Sequence, residues 1–291
     1  MAPELTPIDP TLSVGSVALA VSDLSRSADF YERVLGLPVV FREGDRAGLG
    51  GSAEQPLLEL TGIAAPAPAP PGRTGLFHVA WLHPSRATLA DTVRRIAQAG
   101  WAIDGASDHG VSEALYLSDP DGLGIEVYAD RPRAQWQRPA SGRGVNMVTL
   151  PLDVEDLLAQ SREEPSGEMP PDAAVGHVHL KVADVPRATA FYRDALGFEE
   201  QAQLPSAAFL SAGGYHHHVG LNSWQSAGEG PPSEDAPGLR RVEFELGGPD
   251  ALEALERRLA DAYDGPRPTR GQDGRLSVRD PDTQLLTFRH R

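Results

Sequence analysis

SVALAVSDLSRSADFYERVLGL, residues 16–37, recurs as HVHLKVADVPRATAFYRDALGF, residues 177–198, an offset of 161 positions (177 − 16). A second pair, SDPDGLGIEVY (118–128) and RDPDTQLLTFR (279–289), lies at the same offset. The chain is therefore two copies of one module. The identical positions of the first pair, numbered in the first copy, are Val17, Leu19, Val21, Asp23, Arg26, Phe30, Tyr31, Leu35 and Gly36.

The repeated stretch contains the signals of a strand followed by a helix. Val17, Leu19 and Val21 alternate with small or polar residues, a pattern typical of a half-buried strand. Apolar residues then recur at helical spacing over 28–35, and Gly36 is a helix stop signal. The stretch therefore predicts one β-strand and one amphipathic helix.

Three short strands are predicted after this helix, at 38–42, 46–49 and 57–61. The same order of strand, helix and three strands returns three more times along the chain. We therefore predict an α+β fold in which four βαβββ units form two cupped mixed sheets with the helices outside. The predicted units span approximately 14–62, 75–130, 175–224 and 239–290.

The predicted domain boundaries follow the repeat. The first module covers 1–132 and the second covers 173–291, and each holds two units. The intervening linker, 133–172, is rich in proline, glycine and charge. Within it, LDVEDLLAQS (152–161) predicts one or two helical turns.

Composition excludes several classes of function. The net charge of −15 argues against binding to nucleic acid or to an anionic membrane, because both favour Lys and Arg. The chain has no cysteine, so any metal must be held by His, Asp or Glu. No apolar run approaches the ~18 residues of a membrane span, and the N-terminus lacks the pattern of a signal peptide. We expect a cytoplasmic protein.

Strand alternation predicts which polar residues face away from the helices. The first strand of unit three has its apolar residues at 178, 180 and 182, which are expected to pack on the helix. His177, His179 and Lys181 alternate with them. These three side chains are therefore predicted to face the open, concave side of the sheet.

The same reasoning applies to the other strands that carry polar groups. In FHVAWL, Phe77 belongs to the packing set and His78 to the open face, and in GIEVY the residue on the open face is Glu126. In YHHHVGLN, the apolar residues at 219 and 221 imply that His216 and His218 face the open side. The open faces of units two and three are thus predicted to be rich in histidine and carboxylate.

These motifs, in this order, resemble the vicinal oxygen chelate superfamily, which includes glyoxalase I, bleomycin-resistance proteins and extradiol dioxygenases. The resemblance rests on the order of a strand, a helix that contains FYxxxLG, three further strands and a final DPDGxGIEVY. GASDHGVSEALYLSDPDGLGIEVYADRPR (105–133) and AFLSAGGYHHHVGLNSW (208–224) are similar more specifically to two-module catechol 2,3-dioxygenases. The resemblance implies glyoxalase-like modules and a metal on the concave face of paired units.

In extradiol enzymes of this family, two His and one Glu hold Fe(II) and leave coordination positions open for substrate and O₂. The resemblance implies the same ligand set in this chain. Transferred to this sequence, the ligands of unit two are His78 and Glu126. Ser16 stands where unit one should supply the other His, so the first module lacks a complete set.

The second module is also incomplete. It has His177, but Arg241 and Thr287 stand where a His and a Glu belong. Units two and three together would complete the triad, so we favour an exchanged pairing of two with three and one with four, in which the second pair binds no metal. The alternative is ordinary pairing within each module, with a degenerate or His-rich site in module two. Glu59 matches the fourth-ligand place of glyoxalases and is interpreted as structural.

Further polar residues are given roles by the same resemblance. His109 and Tyr116 precede Glu126 and are expected to hydrogen-bond the substrate and move protons. His179, His216 and His218 are expected either to support the ligands or to contact substrate.

Three functions are consistent with these residues. The first is an Fe(II) extradiol dioxygenase acting on a small aromatic diol and O₂. The second is a glyoxalase-like metal-dependent lyase or isomerase, which normally needs two carboxylates, whereas His216 or His218 is expected in the second carboxylate place. The third is a metal-free binding or resistance protein. Mn(II), Ni(II) and Zn(II) are the alternative metals, and a homodimer is compatible with the family.

Overall fold

All four βαβββ units are present in the computed structural model, which describes residues 6–68, 71–140, 142–162 and 167–291. No helix within these ranges combines the length and the apolar character needed to cross a membrane. The elements of unit one are β1 (Ser13–Val21), α1 (Leu24–Arg33), β2 (Val39–Glu43), β3 (Arg46–Leu49) and β4 (Leu58–Gly62). The elements of unit two are β5 (Gly75–His83), α2 (Arg86–Gln98), β6 (Gly105–Asp108), β7 (Ser112–Ser118) and β8 (Gly124–Asp130).

The region between the modules has structure of its own. Its elements are a 3₁₀ helix (Arg133–Gln135), a short strand β9 (Leu150–Pro151) and a helix α3 (Val154–Ala159), the last matching the helical turns predicted there. The elements of unit three are β10 (Ala174–Lys181), α4 (Val185–Ala190), a π-helix that continues it (Phe191–Leu196), β11 (Glu199–Leu204), β12 (Ala207–Ser211) and β13 (Val219–Asn222). The elements of unit four are β14 (Gly238–Leu246), α5 (Pro249–Ala262), β15 (Thr269–Arg270), β16 (Leu276–Arg279) and β17 (Leu285–His290).

Local sequence explains where the repeated helices begin and end. Asp23 accepts a hydrogen bond from the backbone N–H of Arg26 at 3.0 Å, and so caps the N-terminus of α1. Asp184 does the same for α4. Gly36 and Gly197 follow these helices with φ of 78° and 90°, a left-handed conformation that glycine adopts without strain.

The units pair across the modules. One sheet, here called the first sheet, has the strand order β15-β16-β17-β14-β1-β4-β3-β2 and combines units four and one. The other, the second sheet, has the order β11-β12-β13-β10-β5-β8-β7-β6-β9 and combines units three and two. The exchanged pairing is therefore confirmed, and the alternative of ordinary pairing within each module is wrong.

Each sheet is joined at its centre by one antiparallel pair of first strands. β1 pairs with β14 in the first sheet, and β5 pairs with β10 in the second. The helices α1, α2, α4 and α5 each pack on strands of their own unit, and α3 packs on α2. A single hydrophobic core runs through both sheets.

The two repeated sequence motifs contact each other between the sheets. Tyr31, on the helix of unit one, donates its hydroxyl hydrogen to Asp119 of unit two at 3.2 Å. Asp119 also accepts the backbone N–H groups of Asp121 and Leu123, each at 2.8 Å. One carboxylate therefore shapes its own turn and holds a helix of the other sheet.

The second module repeats this contact. Tyr192 donates to Asp280 at 3.2 Å, and Asp280 accepts the N–H groups of Asp282 and Gln284 at 2.9 and 2.8 Å. Burial raises the pKa of Asp280 to about 7, despite the hydrogen bonds that oppose this rise. In each module, the tyrosine of the FY motif and the first aspartate of the DPD motif thus form a buried hydrogen bond between the two sheets.

We expect Tyr31→Phe and Tyr192→Phe each to lower the free energy of unfolding by about 1–2 kcal/mol, because each leaves a buried carboxylate without one donor. The two effects should add, since the sites share no partner. Denaturant titration measures both. Tyr263→Phe is the control, because its hydroxyl bonds the Arg279 carbonyl near the surface, and an equally large loss there would contradict the proposed link.

Asp280→Asn should make the free energy of unfolding depend less on pH. The folded-state pKa lies above the unfolded value of 3.8, so the carboxyl favours folding most below about pH 4, and this contribution is lost as pH rises toward 7. The unfolding free energy of the variant relative to wild type should therefore increase by a few kcal/mol between about pH 4 and pH 8. A difference independent of pH would contradict this assignment.

Candidate active site

Three neighbouring strands at the centre of the second sheet carry the predicted ligands. His177 on β10 lies opposite Ala80 of β5, and Ala80 lies beside Glu126 of β8. His78 precedes Ala80 by two positions and so shares its face of the sheet. The register therefore brings together two histidines and one carboxylate from different modules.

The geometry of these three side chains fits a metal ion. His78 Nε2 lies 2.9 Å and His177 Nε2 lies 3.2 Å from Glu126 Oε2. Ligands at about 2.1 Å from a metal and at right angles to each other are about 3 Å apart. The candidate ligand atoms all lie within 4.8 Å of one another, and all three residues are buried. The contact of His78 Nε2 with Glu126 lacks hydrogen-bond geometry, and Nδ1 of His177 is buried without a hydrogen-bond partner.

The protonation states also suit a metal. Burial lowers the pKa of His177 to about 4, although Glu126 opposes this shift. Burial alone would raise the pKa of Glu126, but His177 and His78 hold it well below its usual value. Neutral imidazoles beside an ionised carboxylate are the forms that bind a cation.

The corresponding cup of the first sheet has different chemistry. Ser16, Arg241 and Thr287 stand in the ligand places, and Arg241 pairs with Glu59. Arg46 also bonds Glu59, at 2.8 Å. Within the described ranges, the groups with metal-binding geometry all include His177 of the second sheet.

The position in the second-sheet cup that could supply a fourth ligand, equivalent to Glu126, is occupied by Gly220 and not by an acidic residue. Ala80 pairs with Glu126, and the equivalent pair in unit three is His179 with Gly220. The expectation that His216 or His218 occupies the second carboxylate place is therefore wrong. The expectation assumed that His216 and His218 belong to β13 and alternate with its apolar residues, but this strand begins only at Val219.

The HHH segment forms a turn, and its central histidine reaches the site. His217 borders the cavity, with its ring centroid 4.0 Å from that of His177. His217 Nδ1 lies 2.8 Å from His216 Nδ1, and His216 Nε2 lies 2.9 Å from Asp130 Oδ1. His218 instead accepts a backbone hydrogen bond and borders the cavity of the first sheet. Strand parity missed His217, and only its position between two histidines could have indicated it.

His109 and Tyr116 are hydrogen-bonded to each other at the same cavity. His109 Nε2 lies 2.6 Å from the Tyr116 hydroxyl, and its Nδ1 lies 2.7 Å from the carbonyl of Val148. A carbonyl only accepts, so Nδ1 carries the hydrogen and Nε2 accepts from Tyr116. Burial raises the pKa of Tyr116, assisted by Glu126, and the hydroxyl stays protonated.

Aromatic side chains line part of a cavity of about 600 Å³. His179 packs between His78 and Trp224, with its Nε2 buried and without a partner. Phe77 also borders the cavity, although alternation assigned it to the packing set. The reason is a register shift between β10 and β5 that falls beside Phe77.

Comparison with known proteins agrees with this architecture. The Glyoxalase/Bleomycin resistance protein/Dioxygenase superfamily matches residues 13–127 and 174–288. The chain is 41% identical over 261 residues to a catechol-2,3-dioxygenase of Bacillus subtilis strain 168, covering 89% of this chain and 91% of that protein. It is 29% identical over 115 residues to biphenyl-2,3-diol 1,2-dioxygenase 2 of Rhodococcus globerulus, covering 39% of this chain and 60% of that protein.

Solved structures show the same fold at low sequence identity. Glyoxalase I from Zea mays has a TM-score of 0.58 and 17% identity, covering 96% of this chain and 92% of that chain. The CppA protein of Streptococcus pneumoniae also has a TM-score of 0.58, with 11% identity, covering 98% of this chain and all of that chain. These likenesses establish the fold alone.

We expect one divalent metal ion per chain, bound by His78, Glu126 and His177. His78→Ala and His177→Ala should each abolish metal retention after gel filtration, because two remaining ligands hold a cation weakly. Ser16→Ala and Thr287→Ala are the matched controls from the other cup and should retain the metal. Elemental analysis decides the outcome, and loss of metal from either control would contradict this assignment.

Proposed function

The chain belongs to the glyoxalase/bleomycin resistance protein/dioxygenase superfamily, and we propose that it is an Fe(II)-dependent extradiol dioxygenase that opens the ring of a catechol-type diol. The single observation that carries the proposal is the convergence of His78, Glu126 and His177 in one buried cup. Two histidines and one carboxylate on one side of a metal are typical of non-haem iron oxygenases.

The fourth position of the cup supports this choice over a lyase. A metal-dependent lyase or isomerase of this family would need a second carboxylate, and Gly220 stands at that place. Three ligands leave metal positions free for both oxygens of a catechol and for O₂. Bound iron would supply the Lewis acidity and the electrons for oxygen chemistry, and the protein residues supply positioning and proton transfer.

His217 is proposed as the base that accepts a proton from the bound diol. Since Asp130 only accepts hydrogen bonds when ionised, His216 Nε2 donates to it and His216 Nδ1 is left with a lone pair. His217 Nδ1 then donates to His216 Nδ1. The remaining nitrogen of His217 is therefore a free acceptor at the cavity. Burial lowers the pKa of His217, which favours this neutral form.

His109 and Tyr116 are proposed to orient the opposite side of the substrate. With its hydroxyl held by His109, Tyr116 has a fixed position beside His78, at a ring separation of 5.7 Å. Because Tyr116 donates its one hydroxyl hydrogen to His109, its oxygen is left to accept a hydrogen bond from a hydroxyl of the diol. The aromatic cavity walls, including Phe77 and Phe209, limit the access of water.

The metal-free binding or resistance protein, the third of the sequence-based hypotheses, is disfavoured by the buried ligand geometry. The cytoplasmic location, the homodimer and the module boundaries at 132 and 173 stay predictions from the sequence. Mn(II) is the alternative metal closest to the proposed iron, because it also suits mixed nitrogen and oxygen ligands.

Protein loaded anaerobically with Fe(II) should consume one O₂ per catechol and form a yellow ring-opened product, followed with an oxygen electrode and by absorbance. His217→Asn and His109→Asn should each lower kcat by about 10²-fold while the metal content stays unchanged, because each removes a proton acceptor rather than a ligand.

His218→Asn is the matched control for the HHH segment, since this side chain faces the other cavity. Its kcat should stay within about twofold of wild type. Iron-loaded protein that is inactive on a broad panel of diols would contradict the dioxygenase proposal, and chain that binds no metal would favour the binding-protein alternative.

A further inference from the structure

Lys181 is the only lysine in the chain. The sequence contains 26 lysines and arginines together, so the other 25 cationic residues (26 − 1) are arginines. This single ammonium group lies at the end of β10, the strand that carries His177 and His179. It borders the same cavity as His78 and Glu126.

Strand geometry sets the position of Lys181 relative to the candidate metal site. It follows His177 by four residues and His179 by two, so all three share one face of the sheet. Four residues of strand correspond to about 13 Å between Cα atoms. Lys181 therefore lies farther along β10 from the ligand His177 than His179 does, and it borders the cavity together with Phe77 and Trp224.

Lys181 has no ion-pair partner in the part of the chain that the structure describes, although Glu126 and Asp104 border the same cavity. Among residues 6–68, 71–140, 142–162 and 167–291, no hydrogen bond or ion pair involves its Nζ, and its pKa is lowered by burial alone. The cavity carboxylate Glu126 contacts the two histidines, and Asp104 accepts a hydrogen bond from Ser118.

Burial removes part of the hydration of the Lys181 ammonium, and an anionic ligand would compensate for this loss by supplying the opposite charge. Resting on the proposed dioxygenase function, we propose that Lys181 binds a carboxylate on the substrate, carried by the part of the ring remote from the two hydroxyls. The preferred substrates are then catechols with a short acidic substituent at the 4-position. An acid next to a hydroxyl would lie too close to the metal ligands to meet Lys181.

Matched substrates test this proposal. We compare kcat/KM for catechol, for 3,4-dihydroxyphenylacetate and for the neutral methyl ester of that acid, in iron-loaded wild type and Lys181→Met. Wild type should prefer the acid to its ester by roughly tenfold, as expected for one charged hydrogen bond. Lys181→Met should lose this preference and keep its activity on catechol, whereas Lys181→Arg should retain most of the preference.

Three outcomes would overturn the assignment. Equal kcat/KM for acid and ester in wild type would show that Lys181 does not recognise the charge. An equal loss of activity on catechol and on the acid in Lys181→Met would show that the residue is structural. A wild-type preference for 2,3-dihydroxybenzoate over the 4-substituted acid would also contradict the geometry.

A second measurement does not depend on turnover. Reductive ¹³C-methylation labels Lys181 and the N-terminal amine, and the signal missing from Lys181→Met identifies the lysine. Without oxygen, 3,4-dihydroxyphenylacetate should shift this signal, whereas catechol and the methyl ester should leave it nearly unchanged. If no diol is oxidised but the acid shifts the signal, the dioxygenase proposal fails and the anion site stands. If catechol is oxidised but no shift occurs, only the Lys181 proposal fails.

Discussion

The antiparallel pairing of β5 with β10 is the constraint on which the candidate site depends. It sets His78 opposite His179 and His177 opposite Ala80, so that two histidines from different modules share one concave face. A slip of one residue in this register would turn either the β5 or the β10 set of side chains away from the cup. The backbone hydrogen bonds of this strand pair thus set the relative positions of the two proposed histidine ligands, and the pairing of β5 with β8 adds Glu126.

The same framework produces two cups with different physical properties. In the second sheet, the central positions hold two histidines around one carboxylate, and burial lowers the pKa of His177, an arrangement that attracts a cation. In the first sheet, guanidinium groups from Arg241, Arg275 and Arg289 neutralise the carboxylates. A cation entering that cup would meet like charges and carboxylates that are already paired. The repeated fold fixes the positions, and side-chain charge decides which cup can bind metal.

Much of this arrangement was predictable, because it rests on local patterns repeated in the chain. The units and the open-face parity of His177 followed from alternation, and the exchanged pairing followed from the ligand places that the family resemblance implies. The sequence did not predict His217, since YHHH forms a turn where a strand was expected. The position of Phe77 was also missed, because a register shift between two strands distant in sequence has no local signal. Irregular backbone therefore limited the prediction of the site residues, whereas it did not limit the prediction of the fold.

A final constraint concerns the packing of His179. A Cβ atom on Gly220 would lie 2.9 Å from Cγ of His179, too close for an unstrained contact. Any side chain at 220, including a carboxylate that would complete a four-ligand lyase centre, thus requires His179 to move. His179 is in turn buried between the rings of His78 and Trp224, which restricts its movement. The three-ligand cup and a four-ligand cup are therefore alternative packings of one site, and the described side chains are packed for the first.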